Sequence, residues 1–103
     1  MMQYQINLRP EAEDDLNSIY DWSVLNFGKE TADKTMNMLL RRIRRLESFP
    51  YSGSATQDDY LNKEGYRMII AGRYAAFYKV IENTVVVYRV VDTRRQYTLL
   101  FYE

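Results

Sequence analysis

The first half of the chain contains two stretches in which apolar residues recur every three or four positions, the spacing of one helix face. The first stretch begins at Pro10, is followed by acids that suit the positive end of a helix dipole, and ends before Gly28. The second begins near Lys29 or Glu30 and ends at Phe49-Pro50. Because the connection at Gly28 is short, we expect an antiparallel helical hairpin. Its inward positions are Ala12, Leu16, Ile19, Tyr20, Ser23 and Phe27, then Ala32, Met36, Leu39, Ile43 and Leu46.

The remaining segments alternate between apolar and polar residues and predict strands. A short strand over Met2–Leu8 precedes the hairpin, and residues 51–65 have the composition of a loop. A three-stranded meander follows over Tyr66–Ala71, Tyr74–Ile81 and Thr84–Asp92, while residues 93–103 fit either a helix or an added strand. The order predicts an α+β fold, β-α-α-β-β-β, in one domain over residues 1–103. The helical hairpin packs on one face of a small, mainly antiparallel sheet.

The turn pairs Gly72-Arg73 and Glu82-Asn83 set the register of the meander, so that Ala71 faces Tyr74 and Ile81 faces Thr84. Cross-strand partners share a face, and we expect one of the two faces to pack on the helices. That face holds Met68, Ile70, Phe77, Ile81, Val86, Tyr88 and Val90, and the opposite, open face holds Arg67, Ile69, Tyr74, Tyr78, Val87 and Arg89. The predicted core is Leu16, Ile19, Met36, Leu39, Ile43, Phe77 and Val86.

The composition excludes several kinds of chemistry, because the chain has no histidine and no cysteine. A Ser-His-Asp triad, a thiolate nucleophile and an ordinary zinc site are therefore excluded. Neither glycine-rich nucleotide-binding motif is present. The acids at residues 11–15 suit a helix N-terminus better than a metal site, so we expect no metal and no cofactor. No apolar run approaches the length of a membrane span and no signal-peptide pattern is visible, so we expect a cytoplasmic location without membrane contact.

A net charge of zero conceals a segregated charge pattern. Residues 34–46 carry five bases and no acid, and the densest cluster is Arg41-Arg42-Ile43-Arg44-Arg45. Two interpretations stay open: a solvated helix end that suits the helix dipole, or a docking surface for an acidic partner or for phosphates. The open face with Arg67, Tyr78 and Arg89 is either a partner-binding surface or a set of stacked cross-strand pairs. Arg94-Arg95-Gln96-Tyr97 is a candidate to converge with Arg67 on one site.

Six segments of the chain, taken in order, form a recognisable series. They are Leu8-Arg9-Pro10-Glu11-Ala12-Glu13-Asp14-Asp15-Leu16, Ile19-Tyr20-Asp21-Trp22, Leu46-Glu47-Ser48-Phe49-Pro50 with Gly53, Gly65-Tyr66-Arg67, Tyr74-Ala75-Ala76-Phe77-Tyr78-Lys79, and Val87-Tyr88-Arg89-Val90 through Arg94-Arg95. This series, which extends over nearly the whole chain, resembles the RelE/ParE superfamily of toxins from type II toxin–antitoxin modules. The resemblance implies a strand, a helical hairpin and a three-stranded antiparallel meander in a toxin that arrests growth when free of its antitoxin.

The resemblance implies one of two activities. RelE-like members are metal-independent ribonucleases that cut mRNA on the ribosome with a basic cluster. Here Arg67, Arg94 and Arg95 match that cluster, with Lys63 and Tyr97 as weak additions, but histidine is absent and the usual further lysines are missing. ParE-like members poison DNA gyrase, and the long hairpin and neutral balance favour this interpretation. A degenerate member that only binds its antitoxin is a third possibility.

The implied partners are a cognate antitoxin, either gyrase or the ribosome with mRNA, and operator DNA only through the antitoxin. We expect Arg41, Arg42, Arg44 and Arg45, together with Tyr78 and Arg89, to bind the protein partner.

Overall fold

A computed structural model of the chain describes residues 3–56, 58–94 and 101. The elements follow the predicted order, with a short third helix before the meander. They are β1 (Gln5–Leu8), α1 (Pro10–Phe27), α2 (Lys29–Arg44) extended by a 3₁₀ turn (Arg45–Glu47), α3 (Asp59–Lys63), β2 (Arg67–Ala71), β3 (Tyr74–Ile81) and β4 (Thr84–Asp92). The question of helix or strand at the C-terminus lies largely outside the described residues.

The four strands form one mixed sheet in the order β1-β4-β3-β2. Strand β1 runs parallel to β4, and the other two pairings are antiparallel. Both turns have two residues, because Ala71 pairs with Tyr74 and Ile81 pairs with Thr84. The predicted α+β fold, with a helical hairpin on a mainly antiparallel sheet, is confirmed.

The hairpin closes at Gly28, whose φ of 89° is a left-handed conformation that glycine adopts without strain. A polar cluster beside this turn holds the two helices together. The hydroxyl of Tyr20 donates to Oδ1 of Asp33 at 2.7 Å, and Nζ of Lys29 donates to Oδ2 at 2.8 Å. These hydrogen bonds, first that from Lys29 and then that from Tyr20, lower the pKa of the Asp33 carboxyl.

The prediction of which sheet face packs on the helices is wrong, although the turn lengths are right. A β-bulge between Phe77 and Tyr78 pairs Tyr78 with Val87 and Phe77 with Arg89, which leaves Tyr88 extra in β4. The helix-facing surface consists largely of small side chains, which let the hairpin approach the sheet closely. Its residues are Ile69, Ala71, Tyr74, Ala76, Tyr78, Val85, Val87 and Val90, packed against Ala12, Leu16, Leu39, Ile43 and Leu46.

The opposite face, which was expected to meet the hairpin, has a second core of its own. Phe77 is fully buried there with Leu61, Ala75 and Val91, and Phe101 packs against this cluster. Val86, expected in the main core, is only partly buried. Burial on both faces explains why both faces are apolar.

Helix α3 covers part of this second core and corrects the prediction of a loop over residues 51–65. The Asp58 carboxylate accepts from the Leu61 amide at 2.9 Å and caps the helix. Leu61 is fully buried, and the Asn62 amide donates to the Thr56 carbonyl at 2.7 Å. With five residues the helix is too short to show a periodicity that sequence inspection can detect.

Phe77→Ala is expected to lower the free energy of unfolding by about 3–5 kcal/mol, because it empties the centre of the second core. The matched control is Phe49→Ala, since the Phe49 side chain is 56% exposed and its loss removes little packing. Urea denaturation followed by circular dichroism measures both. Equal, small effects would show that the far face of the sheet is not a core.

Candidate functional site

Four arginines form what we call the arginine row: Arg41, Arg42, Arg44 and Arg45, over the end of α2 and the 3₁₀ turn. Leu39, Ile43 and Leu46 of the same segment are buried in the main core, and this burial directs the intervening arginines outward. A shallow surface depression is lined by the row together with Met38, Glu47 and Ser48. Within the described part of the chain, no carboxylate pairs with any arginine of the row. The row is therefore an uncompensated positive surface.

Two members of the row contact their own chain. Nε of Arg42 donates to the main-chain carbonyl of Ile70 at 3.1 Å, and the Arg45 guanidinium lies 5.8 Å from the centre of the exposed Phe49 ring. Arg41 and Arg44 are exposed. The predicted docking surface therefore has two arginines held by local contacts and two directed into solvent.

Arg67 and Tyr78 fasten the loop after the 3₁₀ turn to the sheet. Nη1 of Arg67 donates to the carbonyls of Gly53 at 2.9 Å and Tyr51 at 3.3 Å, and its guanidinium lies over the Tyr51 ring. The Tyr78 hydroxyl accepts from the Gly53 amide at 2.9 Å. Burial raises the pKa of the Tyr78 phenol, although this hydrogen bond and the Arg67 charge act in the opposite direction. Both residues thus bind the loop at residues 51–53 to the sheet, which gives each of them a structural role.

Arg89 joins β4 to α1 and does not belong to an open sheet face. Its guanidinium makes a two-pronged ion pair with Asp15, with both donor–acceptor distances at 2.8 Å. The same carboxylate accepts from the Val90 amide at 2.9 Å. Because Tyr78 is fully buried and Arg89 is directed to Asp15, the expectation of an open face that presents both residues to a partner is wrong.

The hydrogen bonds of Arg67 and Arg94 hold the two side chains at different places on the sheet. Arg67 lies in the sheet row of Tyr78, whereas Asp92 lies in the row of Tyr74, four residues further along β2. At roughly 3.3 Å per residue these rows are about 13 Å apart. Arg94 is hydrogen-bonded to Asp92, with Nη2 3.2 Å from Oδ2, and is thereby held at the distant end.

The other ribonuclease candidates are Lys63, Arg95 and Tyr97. Lys63 is exposed on α3. Arg95 and Tyr97 lie outside the described residues.

Sequence inspection missed a cation–aromatic cluster on the far face of the sheet. Nζ of Lys79 lies 4.5 Å from the Tyr66 ring centre and 5.5 Å from that of Tyr88. Burial raises the pKa of the Tyr66 phenol. Lys79 pairs with Val86 across the sheet, and Tyr88 lies two residues further along β4.

Across residues 3–56, 58–94 and 101, no three carboxylates come close enough to hold a metal ion. Nor does any helix in that part of the chain have the length and apolar character that crossing a bilayer requires. Ion pairs among the described residues do not account for the charge of the arginine row.

Comparison with known proteins gives consistent matches. The family model described as "ParE toxin of type II toxin-antitoxin system, parDE" matches residues 6–97. Toxin ParE1 of Mycobacterium tuberculosis (strain CDC 1551 / Oshkosh) is 32% identical over 88 residues, which are 84% of this chain and 87% of that protein.

Two solved structures share the fold at low sequence identity. A chain of the chromosomal ParDE toxin–antitoxin system from P. aeruginosa aligns with a TM-score of 0.74 at 19% identity, covering 87% of this chain and 96% of that one. A chain of the RelBE2 toxin–antitoxin complex from Mycobacterium tuberculosis aligns with a TM-score of 0.65 at 17% identity, covering 89% and 93%.

A double-mutant cycle on Asp15 and Arg89 is expected to give a coupling of about 1–3 kcal/mol, because the pair is largely withdrawn from water. The matched control is the Glu30–Lys34 pair, whose side chains are 87% and 77% exposed. That pair is expected to couple by at most about 0.5 kcal/mol. Urea titration of the single and double alanine variants measures both couplings, and equal values would contradict the assignment of Arg89 to the fold.

Proposed function

Because the chain belongs to the ParE toxin family of type II toxin–antitoxin systems, we propose that it arrests growth by poisoning DNA gyrase and that a cognate antitoxin holds it inactive. Membership rests on the family model, which covers nearly the whole chain, and on the 32% identical relative. Both carry the ParE name, which supports a gyrase target over an RNA target.

The separation of Arg67 from Arg94 is the observation that carries the choice of target. Metal-independent RNA cleavage builds negative charge on one phosphate, and without histidine several cations must reach that phosphate together. Arg67 is tied to loop carbonyls and Arg94 to Asp92, in sheet rows about 13 Å apart. A protein that acts by binding needs no such convergence.

The antitoxin contact is proposed for the arginine row. Four adjacent cations without a carboxylate partner in the described part of the chain form a surface that an acidic polypeptide complements. The chain as a whole has zero net charge, which disfavours independent binding to DNA. We accordingly expect the antitoxin, rather than this chain, to bind operator DNA.

Reversal of two charges tests the antitoxin surface. Arg41→Glu combined with Arg44→Glu is expected to weaken the antitoxin complex about tenfold or more at 50 mM salt, and less at 500 mM, because it replaces attraction with repulsion. The control reverses Lys34 and Lys63, two exposed lysines that lie outside the arginine row. Isothermal titration against the antitoxin encoded beside the toxin gene measures all three proteins. Equal affinity of both double variants would remove the arginine row from the interface.

The target is tested with purified protein in two assays. We expect the protein to inhibit DNA supercoiling by gyrase and to leave ribosome-bound mRNA intact in the absence of metal. Arg94→Ala is the informative variant, because Arg94 is exposed and its removal spares the core. A ribonuclease would lose about 10²–10³ in rate on loss of such a contact.

Metal-independent mRNA cleavage that Arg94→Ala abolishes would make the protein a RelE-like ribonuclease and overturn the proposal. A chain that forms the antitoxin complex yet neither inhibits gyrase nor slows growth on induction would be a degenerate member.

A further inference from the structure

Strand β2 is the last strand of the sheet, and its outer edge is closed by two contacts from its own chain. Ser54 and Met68 exchange two main-chain hydrogen bonds at 3.0 Å, which close the edge at Met68. Two residues further along, Arg42 donates to the carbonyl of Ile70. At Met68 the edge is covered by main-chain hydrogen bonds to Ser54. At Ile70 it is covered by the Arg42 side chain, which occupies the position that a neighbouring strand would take.

Ile70 presents its backbone outward because of strand alternation. The bonds of Met68 to Ser54 identify the set of β2 residues whose N–H and C=O point away from β3, and Ile70 is the next member of that set. The chain does not extend the Ser54 bridge to this position, because Ser52 turns back to the Phe49 carbonyl. The Ile70 side chain is 44% exposed, so this part of the edge is accessible. Unpaired edge groups are a template for an added strand.

We propose that Arg42 is a placeholder at the β2 edge: it occupies the Ile70 carbonyl until an extended acidic segment of a partner pairs with Ile70 and takes the Arg42 guanidinium on one of its carboxylates. The exchange conserves hydrogen bonds. A partner N–H replaces Nε of Arg42 at the Ile70 carbonyl, the Ile70 N–H gains a partner carbonyl, and the released guanidinium gains a charged acceptor. The placeholder protects the edge in the free protein and contributes to binding in the complex.

The positive charge of the arginine row, beside the β2 edge, indicates which kind of partner segment would bind there. The arginine row has no carboxylate partner in the described residues and adjoins Ile70 through Arg42, so an acidic segment has both charge complementarity and a main-chain anchor. A second copy of this chain is a poorer occupant, because its own β2 edge would bring a second arginine row against the first. This inference rests on the proposed function, in which the acidic segment belongs to the antitoxin.

Proline at position 70 tests the main-chain pairing. Ile70→Pro removes the outward N–H, and an edge strand tolerates proline where that N–H faces away from its neighbour. We expect it to weaken binding of the antitoxin encoded beside the toxin gene about three- to tenfold, the effect of one lost hydrogen bond. The control Ile70→Val keeps the N–H and is expected to bind within twofold of wild type. Thermal melts verify that both variants are folded.

Two spectroscopic readouts follow the exchange in the wild-type complex. Hydrogen exchange of the Ile70 amide is expected to slow at least tenfold on antitoxin binding. The Nε–H resonance of Arg42 is expected to shift as its acceptor changes from a carbonyl to a carboxylate. Arg42→Gln, which lacks the charge, is expected to bind more weakly and to show a reduced salt dependence of affinity.

The outcomes separate this inference from the function on which it rests. A tight complex in which Ile70 exchanges as in the free protein and Ile70→Pro binds like Ile70→Val overturns the placeholder and leaves the antitoxin partner in place. Failure of the wild-type chain to bind the antitoxin overturns both. A wild-type dimer in sedimentation that Ile70→Pro dissociates would assign the edge to self-association and also overturn the inference.

Discussion

The fold depends on how the long strand β4 is completed along its outer edge. Strand β1 has four residues and pairs with β4 only from Thr84 to Val87. Beyond that point the edge of β4 would be open, because the chain leaves the sheet and enters α1. The carboxylate of Asp15 fills the gap: it accepts from the Val90 amide and binds the Arg89 guanidinium at two points. Helix α1 therefore supplies, through Asp15, a hydrogen-bond acceptor for β4 beyond the end of β1. Backbone groups at an otherwise open strand edge require such a partner when they are buried.

This contact also sets the direction of the hairpin. With α1 anchored at Asp15, α2 lies across the far side of the same sheet face, and its end comes close enough to β2 for Arg42 to reach Ile70. The small residues Ala71 and Ala76 on that face allow this close approach. The burial of Leu39, Ile43 and Leu46 in the main core thus places the arginine row near one sheet edge, while the Asp15–Arg89 ion pair ties α1 to β4. The arginine row and the buried residues Leu39, Ile43 and Leu46 lie on the same helical segment, so core packing fixes the position of the surface charge.

Local sequence signals gave the elements and the turns, and non-local contacts determined the rest. Pro10 and Gly28 mark the helix ends because each acts on its own backbone, and the two-residue turns set the strand pairing for the same reason. Which face of the sheet packs on the helical hairpin depends on the elements that cover each face. Helix α3 and Phe101 cover the far face of the sheet and complete a second core there. Neither has a sequence pattern that predicts this packing. The bulge at Tyr88 likewise depends on the sheet, and it decides where Arg89 points.

The candidate residues divide in the same way. Arg41 and Arg44 were predicted as surface charges, and helical periodicity sufficed because it excludes them from the core. The tasks of Arg67 and Arg89 were not predictable, since their acceptors are the Gly53 carbonyl and the Asp15 carboxylate, 14 and 74 residues away in sequence. Guanidinium groups suit both internal clamps and external docking, because their planar set of donors serves carbonyls and carboxylates alike. An arginine in this fold is therefore informative about function only once its acceptor is known.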